Sequence, residues 1–370
     1  MNFIPSRNRL RQSGVLCSEN IIAILLFAFF MLLPAMTSAY KIQVYTYFFS
    51  SILLCLSIVF IWGYCGTFSF GQAAFYGLGA YGYAIISGNM GIHSLTPIAA
   101  IIAIAIVWIF ALILGYFMFY GGVNDVFVGI LTQCITLALS TFFGQTAGPE
   151  WRIGKIALGG YNGINKISPL YLGSLKLKGV SFYYFCTLVV FIVLLVFKLI
   201  ERRKFGYSMI AVRENRQRSS MFGYNVPKIQ MFVFSIGGAI AAFAGVLYAA
   251  WGGYVSPQSM SITQATLPVI LVASGGKKSP VAAMIFGFIY YFANNLLTGS
   301  GSSYSLLILG IALVVVVLFV PQGLFKALFD LIDEKIFKED RHGKACIGAA
   351  RFDRLHRSPD ARRRRKGGMV

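Results

Sequence analysis

Residues 201–228 read ERRKFGYSMIAVRENRQRSSMFGYNVPK. This segment carries seven Lys and Arg residues and separates two apolar runs that are each about as long as a membrane-spanning helix. Lys and Arg concentrate in the loops of membrane proteins that stay in the cytoplasm. We therefore interpret residues 201–228 as a cytoplasmic loop that contacts a soluble partner.

The composition of the whole chain indicates a membrane protein. Of its 370 residues, 57% are hydrophobic and 12% are charged, and the mean hydropathy is +0.73. The net charge is +20, but the basic residues lie between apolar runs and in the tail, so we expect contact with membrane lipid and not with nucleic acid. The six Cys residues include no C-x-x-C pair and the three His residues are far apart, so we predict no metal site.

A helix needs about 20 apolar residues to span a bilayer. On this measure we predict an all-α, polytopic membrane helical bundle with about ten transmembrane segments. The eighth is too short to cross alone, and we expect it to be half of a broken helix buried against protein. The segments are residues 20–40, 44–63, 69–87, 96–120, 126–144, 182–200, 229–251, 263–274, 281–297 and 305–320.

The Lys and Arg residues predict the orientation of the chain. With the N-terminus inside, 25 of the 32 fall in cytoplasmic segments, so we expect both termini in the cytoplasm. The first apolar run also resembles a signal peptide, but further spans follow it directly and we favour an uncleaved helix. The predicted domains are a cytoplasmic segment 1–19, a transmembrane domain 20–320 with a cytoplasmic loop 201–228 and an external loop 145–180, and a basic cytoplasmic tail 321–370.

Ten crossings divide into two sets of five, which would enter the membrane from opposite sides. The glycine-rich third segment and the short eighth segment, which we expect to be broken by Pro268 and closed by Gly275 and Gly276, hold corresponding places in the two sets. We therefore predict a five-plus-five inverted repeat with two broken or short helices. Interrupted helices matched in this way indicate a substrate path.

The third segment begins with GTFSFGQAAFYGLGAY at residues 66–81. Its glycines permit a kink or close packing, and Ser69 and Gln72, three residues apart, would share a helical face. Close packing without any role in transport is the alternative interpretation. The predicted path residues are Ser69, Gln72, Tyr76, Tyr81, Thr263, Gln264 and Thr266.

Residues 66–81 resemble the S-[LF]-G-[HQ]-A-x-F-x-G-x-G-A-Y pattern of permease subunits of ABC importers in the branched-chain amino acid class. The sequence AVREN at 211–215, followed by Gly223, resembles the A-x-R-E-N...G of the cytoplasmic coupling loop of this family. Further similarity lies at residues 159–163, 275–276 and 321–324, so that the resemblance covers about residues 63–324.

The resemblance implies a permease subunit in the cell inner membrane that is not an enzyme and has no ATPase site or cofactor of its own. ATP would be bound by two partner ATP-binding subunits. A second related permease subunit and an extracytoplasmic solute-binding protein would complete the importer. The residues expected to couple the chain to the ATPase are Gly206, Ala211, Arg213, Glu214, Asn215 and Gly223.

The loop itself has the pattern of a short amphipathic helix. Phe205, Met209 and Val212 follow helical spacing, so we expect them to seat in a groove on the ATPase while the Arg side chains present charge. Glu214 is expected to pair with Arg218 or with a basic group on the partner. The alternative is an ordinary solvated loop whose cations only fix the topology.

The substrate is less well defined by the sequence. Residues 130–137, Arg218 and residues 223–224 look more like the related urea-class permeases, so urea or a short-chain amide is the alternative to a branched-chain amino acid. An ion-coupled secondary transporter is disfavoured because such proteins usually carry an intramembrane carboxylate, whereas Asp125 lies at a helix edge and Glu150 in a loop. A membrane enzyme is disfavoured because G-x-S-x-G and H-E-x-x-H motifs are missing.

Overall fold

The computed structural model describes residues 18–148, 150–173, 175–299, 304–320 and 323–337. The backbone forms two compact units, of which the larger comprises residues 23–326. The described parts of the smaller unit are residues 18–22 and 327–337. Most of the predicted N-terminal segment and most of the predicted basic tail lie outside the described residues.

Helices make up most of the described chain. Each predicted crossing corresponds to a helix, and two short helices form the predicted coupling loop. In chain order the helices are α1 (Ser18–Met36), α2 (Ala39–Ile58), α3 (Gln72–Met90), α4 (Thr96–Tyr120), α5 (Asp125–Gln145), α6 (Val180–Glu201), α7 (Lys204–Glu214), α8 (Arg216–Met221), α9 (Val226–Gly252), α10 (Ile262–Gly275), α11 (Pro280–Gly299), α12 (Ser305–Phe319) and α13 (Leu324–Phe337).

Seven helices of the described chain are long and apolar enough to cross a membrane, namely α1, α2, α4, α5, α6, α9 and α11. This confirms the prediction of an all-α, multi-pass membrane protein. Helices α10 and α12 are apolar but shorter, with 14 and 15 residues. Helix α3 has 19 residues but is glycine-rich, and most of it is buried inside the bundle. Buried helices need less apolar surface than helices that face lipid, because neighbouring helices replace the lipid around them.

Helix α9 lies at the centre of the bundle, where it packs against α4, α3 and α2. Asn225 caps the start of this helix, because its side-chain oxygen accepts a hydrogen bond of 3.0 Å from the Lys228 amide. Its end is at Gly253, which has a left-handed φ of 63°. Small residues recur every four positions along this helix, and they are buried or make close contacts: Gly237, Ala241, Gly245 and Ala249.

Helices α3 and α9 cross so closely that glycine is required on both. A Cβ atom on Gly79 of α3 would overlap the backbone of Ala242, and one on Gly245 of α9 would overlap the carbonyl of Tyr76. Small residues allow this approach, and the gain is close van der Waals packing. The buried side chains of α3 are therefore held firmly against the centre of the protein.

The contacts between helices are reciprocal between the two halves of the chain. Helix α9, the second crossing of the second half, contacts α3 and α4 of the first half. Helix α2, the second crossing of the first half, contacts α10 and α11 of the second half, and α2 and α9 contact each other. An inverted repeat would produce this exchange of partners. The repeat itself stays a prediction.

The predicted external loop is well ordered where it is described. It contains two short antiparallel hairpins, Arg152–Ile153 with Ile156–Ala157 and Tyr171–Leu172 with Leu175–Lys176. A third pairing joins Ile164–Asn165 to Tyr254–Val255, directly after α9. The loop is thereby fixed to the end of the central helix.

We expect Gly245→Ala to destabilise the protein, because the added methyl group would overlap the Tyr76 carbonyl. Overpacking of this kind costs about 1–3 kcal/mol. The midpoint of thermal unfolding of the purified protein in detergent, followed by tryptophan fluorescence, should fall by several degrees. The matched control is Gly252→Ala in the same helix, where the methyl group would meet nothing within 4 Å. Equal midpoints for the two variants would contradict the proposed close packing of α3 and α9.

Candidate substrate path and coupling loop

The helical structure of the chain is interrupted between α2 and α3. Helix α2 continues into a π-helix, Val59–Tyr64, and the chain then runs without regular helix until α3 begins at Gln72. Gly66 in this stretch has a φ of 76°, a left-handed conformation that glycine adopts without strain. π-helices are rare in proteins, and those that occur are often found at functional sites. The interruption thus precedes the third crossing, at the position of the motif GTFSFG.

Side chains of the protein satisfy the backbone at this interruption. The Phe70 amide donates to the hydroxyl of Thr132 on α5 at 3.2 Å, and the Gly71 amide donates to the Ser69 hydroxyl at 3.0 Å. The Ser69 hydroxyl in turn donates to Thr132 at 3.3 Å. Ser69 was predicted as a path residue, and the structure gives its hydroxyl a structural task at the start of α3.

The other predicted path residues of α3 are deeply buried. Gln72, Tyr76 and Tyr81 are each 1% exposed. Both amide atoms of Gln72 and both tyrosine hydroxyls have no hydrogen bond within 3.5 Å, although Ser50 is close enough to the Tyr76 hydroxyl to interact with it weakly. A buried polar group without a partner costs about 1–3 kcal/mol. Each such group needs an explanation, which can be a functional role or a bound water or ligand.

These three side chains do not form one continuous surface. Residues 72 and 76 are one turn apart and share a face of α3, whereas residue 81 falls on the opposite side at 100° per residue. The ring of Tyr81 stacks on Phe143 of α5 at a centroid distance of 4.3 Å, and the ring of Tyr76 lies 5.6 Å from that of Tyr248 on α9. Gln72 and Tyr76 are therefore the pair that can act together.

The second predicted path segment lies at the start of α10. The Ser261 hydroxyl caps this helix by accepting from the Gln264 amide at 3.2 Å. The Thr266 hydroxyl donates back to the Ile262 carbonyl at 2.9 Å, so its hydrogen is used within the helix. The side chain of Thr263 is exposed. Helices α3 and α10 are in contact, but the structure shows no hydrogen bond between the described path residues of the two segments.

One expectation about this segment is wrong. Pro268 was expected to break the eighth segment, but α10 is continuous from Ile262 to Gly275 with Pro268 inside it. Neighbouring helices can re-satisfy the carbonyl that a proline leaves without its helical partner. The helix ends at Gly276, which has a φ of 133°, and α11 starts with Pro280 in its first turn. Gly275 and Gly276 therefore close α10, as expected from the sequence.

The predicted coupling loop folds as α7 and α8. Met209 and Val212 of α7 are buried, and α7 contacts α6, α9 and the π-helix. The apolar side of α7 therefore faces the protein's own bundle, which corrects the expectation that these two side chains enter a groove on the ATPase. Gly206 allows the tight turn from α6, because a Cβ atom there would overlap the Ile200 carbonyl.

Arg213 and Glu214 form an ion pair. Arg213 Nη2 lies 2.9 Å and Nε 3.2 Å from Oε1 of Glu214. Arg213 Nη1 donates a 2.7 Å hydrogen bond to the carbonyl of Gly63 in the π-helix. The Arg213 hydrogen bond and charge, with the positive charge of Lys278, lower the pKa of Glu214. Glu214 therefore stays ionised in the physiological range, and its partner is Arg213 instead of the expected Arg218.

The remaining predicted coupling residues shape the end of α7 and the start of α8. The Ala211 carbonyl accepts from the Asn215 amide at 3.1 Å. The Asn215 side chain caps α8 by accepting from the Arg218 amide at 2.8 Å. Gly223 has a φ of 85°, which turns the chain from α8 towards α9.

Sequence reasoning missed two features of this region. Arg216 of α8 forms a 2.6 Å ion pair with Asp125 at the start of α5, which fixes α8 to the bundle. Next to it Met221 and Phe222 are 76% and 83% exposed, and Tyr224 is also exposed. The charge pattern of the loop drew attention to its Arg residues, but three large apolar side chains around Gly223 were the available signal for a contact surface.

The chain forms a helical bundle that contains an interrupted helix, buried polar groups without partners and a folded cationic loop. This is the architecture of a transport permease. The chain belongs to the family described as the permease component of the branched-chain amino acid transport system, whose model matches residues 40–317. The matched range runs from α2 into α12 and includes the path segments and the coupling loop. It confirms the resemblance seen in the motifs.

Curated relatives agree with this family. The chain is 26% identical over 310 residues to the high-affinity branched-chain amino acid transport system permease protein LivM of Escherichia coli, a match that covers 79% of this chain and 71% of the relative. LivM of Salmonella typhimurium is 25% identical with the same coverage. A probable LivM of Methanocaldococcus jannaschii is 31% identical over 121 residues, 32% of this chain and 35% of the relative. No solved structure matches the chain significantly.

Proposed function

We propose that this chain is a permease subunit of an ATP-driven ABC importer that carries branched-chain amino acids across the cell inner membrane, with both termini in the cytoplasm. The observation that carries the proposal is the family match, which spans both short or interrupted helices and the loop between the two halves. Two ATP-binding subunits, a second related permease and an extracytoplasmic solute-binding protein complete the importer. ATP is bound and hydrolysed by the partner subunits.

The interior of α3 supplies the path. The Gln72 amide and the Tyr76 hydroxyl offer neutral donors and acceptors within an apolar bundle. A branched-chain amino acid has a polar head and an apolar side chain, so it can form brief hydrogen bonds with these groups while its side chain contacts the apolar walls. Neutral groups hold such a solute less tightly than a buried charge would, which favours passage over retention. Thr263, Gln264 and Thr266 lie at the start of α10, where the solute would meet the second segment.

The exposed part of the coupling loop supplies the contact with the ATPase. Since Met209 and Val212 are buried against the bundle, the apolar anchor for the partner is the exposed cluster of Met221, Phe222 and Tyr224. Aromatic side chains that fill a pocket on a partner carry much of the energy of an interface. The Glu214 carboxylate, 63% exposed, is the charged group available beside them.

The loop 145–180 supplies the surface for the solute-binding protein. It carries five Lys and Arg residues and one acidic residue, an unusual excess of positive charge for an external loop. All five basic side chains are exposed, and Arg152, Lys155 and Lys176 lie on the two hairpins. Lys176 and Lys178 also line a cavity of about 420 Å³ beside the end of α9. An acidic face on the binding protein would complement this surface.

The direct test of the function is uptake by the reconstituted importer. We expect proteoliposomes that contain this chain with its partner subunits to accumulate labelled leucine, isoleucine or valine when the binding protein and ATP are supplied on the correct sides. A non-hydrolysable ATP analogue serves as the control. Accumulation of labelled urea with no uptake of the amino acids would favour the urea-class alternative, and uptake without an ATPase would overturn the proposal.

We expect Gln72→Leu to lower leucine uptake at least severalfold or to change the preference among the three amino acids, without lowering the stability of the protein. The reason is that leucine removes two buried polar atoms that have no partner. The control is Gln230→Leu, which leaves the Thr67 hydroxyl without its 3.2 Å partner and should lower the midpoint of thermal unfolding. An unaltered uptake profile for Gln72→Leu would remove this residue from the path.

We expect Phe222→Ala to weaken the association with the ATP-binding subunit about tenfold or more, as truncation of an aromatic anchor does. Co-purification at graded protein concentration measures the effect. The matched control is Phe319→Ala in α12, whose side chain is similarly exposed but lies outside the coupling loop. Equal association of both variants and the unmodified chain would show that the cluster around Gly223 does not form the contact.

A further inference from the structure

Arg213 lies on the loop expected to contact the ATPase, but its guanidinium group points into the protein. Its side chain is only 20% exposed, against 63% for the neighbouring Glu214. One edge of the guanidinium binds Glu214 and the other donates to the Gly63 carbonyl at 2.7 Å. Because both edges of its guanidinium group are occupied, Arg213 has no free pair of N–H groups with which to bind a partner subunit.

The acceptor of this hydrogen bond is part of the interruption before α3. Gly63 lies in the π-helix Val59–Tyr64, and Gly66 follows it in a left-handed conformation. The backbone and stem of Arg213 pack directly on Gly66, since a Cβ atom there would lie 3.0 Å from Cγ and 3.3 Å from Cα of Arg213. A displacement of α7 cannot leave this stretch of chain unmoved.

The same stretch also holds the turn that follows α10. The Lys277 ammonium group lies over the ring of Trp62 at 4.9 Å from its centroid, a cation–π contact. The Lys277 carbonyl packs against Gly63 so closely that a Cβ atom on Gly63 would overlap it. Residues 62 and 63 are therefore where α7, the π-helix that leads towards α3 and the turn after α10 meet.

We propose that Arg213 is the positioning residue that transmits a displacement of α7 to residues 62 and 63, and through them to both α3 and α10. This inference rests on the proposed function and assigns the loop two different faces. Glu214 and the cluster around Gly223 face the ATPase, and Arg213 carries the movement inwards. The planar guanidinium is required because it can donate to Glu214 and to Gly63 at once, whereas a lysine ammonium group at the end of a flexible stem cannot hold both in this geometry.

The experiment compares Arg213→Lys with the unmodified chain in the complete reconstituted importer. We expect the variant to assemble with the ATP-binding subunits and to hydrolyse ATP, while the leucine taken up per ATP hydrolysed falls about tenfold or more, as expected for loss of a hydrogen bond from a charged donor. The matched control is Arg202→Lys, an exposed position of the same loop, which should keep the normal ratio. If Arg213→Lys fails to assemble with the ATP-binding subunits, Arg213 is a docking contact. If the leucine taken up per ATP hydrolysed is unchanged, Arg213 is dispensable. Either result overturns the proposal.

A second measurement does not depend on transport. Hydrogen–deuterium exchange of the purified chain should become faster across residues 64–71 in Arg213→Lys, because the hydrogen bond that holds the preceding carbonyl is weakened. Lys277→Met provides a separate test, since it keeps Arg213 but removes the cation over Trp62, and should speed exchange in the turn after α10. Unchanged exchange in both variants would overturn the inference even if uptake proves the proposed function correct. If exchange becomes faster in the variants but the unmodified importer takes up no amino acid, the inference about residues 62 and 63 stands and the proposed function is rejected.

Discussion

A buried backbone N–H or C=O group must find a hydrogen-bond partner inside the protein, because it is shielded from water. This constraint is most demanding where the chain leaves the π-helix and has not yet started α3. The Gly63 carbonyl is satisfied by Arg213 of α7 and the Phe70 amide by Thr132 of α5. The Thr67 side chain is held by Gln230 of α9. The interruption is therefore stable only when three other helices are in place around it.

The two short or interrupted segments meet this constraint differently. Before α3, the irregular backbone depends on side chains from other helices. Helix α10 remains regular despite Pro268, and its irregular backbone lies at the turn beyond it, where Gly276 packs against Gly323. The reciprocal contacts of α2 and α9 agree with the predicted repeat, but the third helix of each predicted half satisfies its backbone in a different way. A repeat can keep its packing while one copy takes on polar groups that the other lacks.

The crossings were predictable because a spanning helix needs a long apolar run, and the packing face of α9 because small residues recur every four positions. The pairing of Glu214 with Arg213 was not predictable in this way. The i,i+4 rule applies within one helix, and the chain leaves the helix at Asn215, which is extended at a φ of −162°, so Arg218 belongs to the next helix. The amphipathic pattern of α7 predicted an apolar contact correctly, but periodicity cannot tell whether that contact is a partner or the protein's own bundle. Only tertiary packing decides that Met209 and Val212 face inwards.

The unpaired amide of Gln72 fits a path better than it fits a packing role. A helix that needed only close packing at this position would be more stable with an apolar side chain, since burying unmatched polar atoms costs about 1–3 kcal/mol. Ser69, Thr132 and Gln230, which are buried nearby, have hydrogen-bond partners within the protein, whereas the Gln72 amide has none. Gln72 and Tyr76 remain on one face of α3, one turn apart, just beyond the junction that Arg213 holds. If these residues line the proposed path, a passing solute would supply hydrogen bonds to the Gln72 amide for as long as it is present, and movement of the junction would set when it is released.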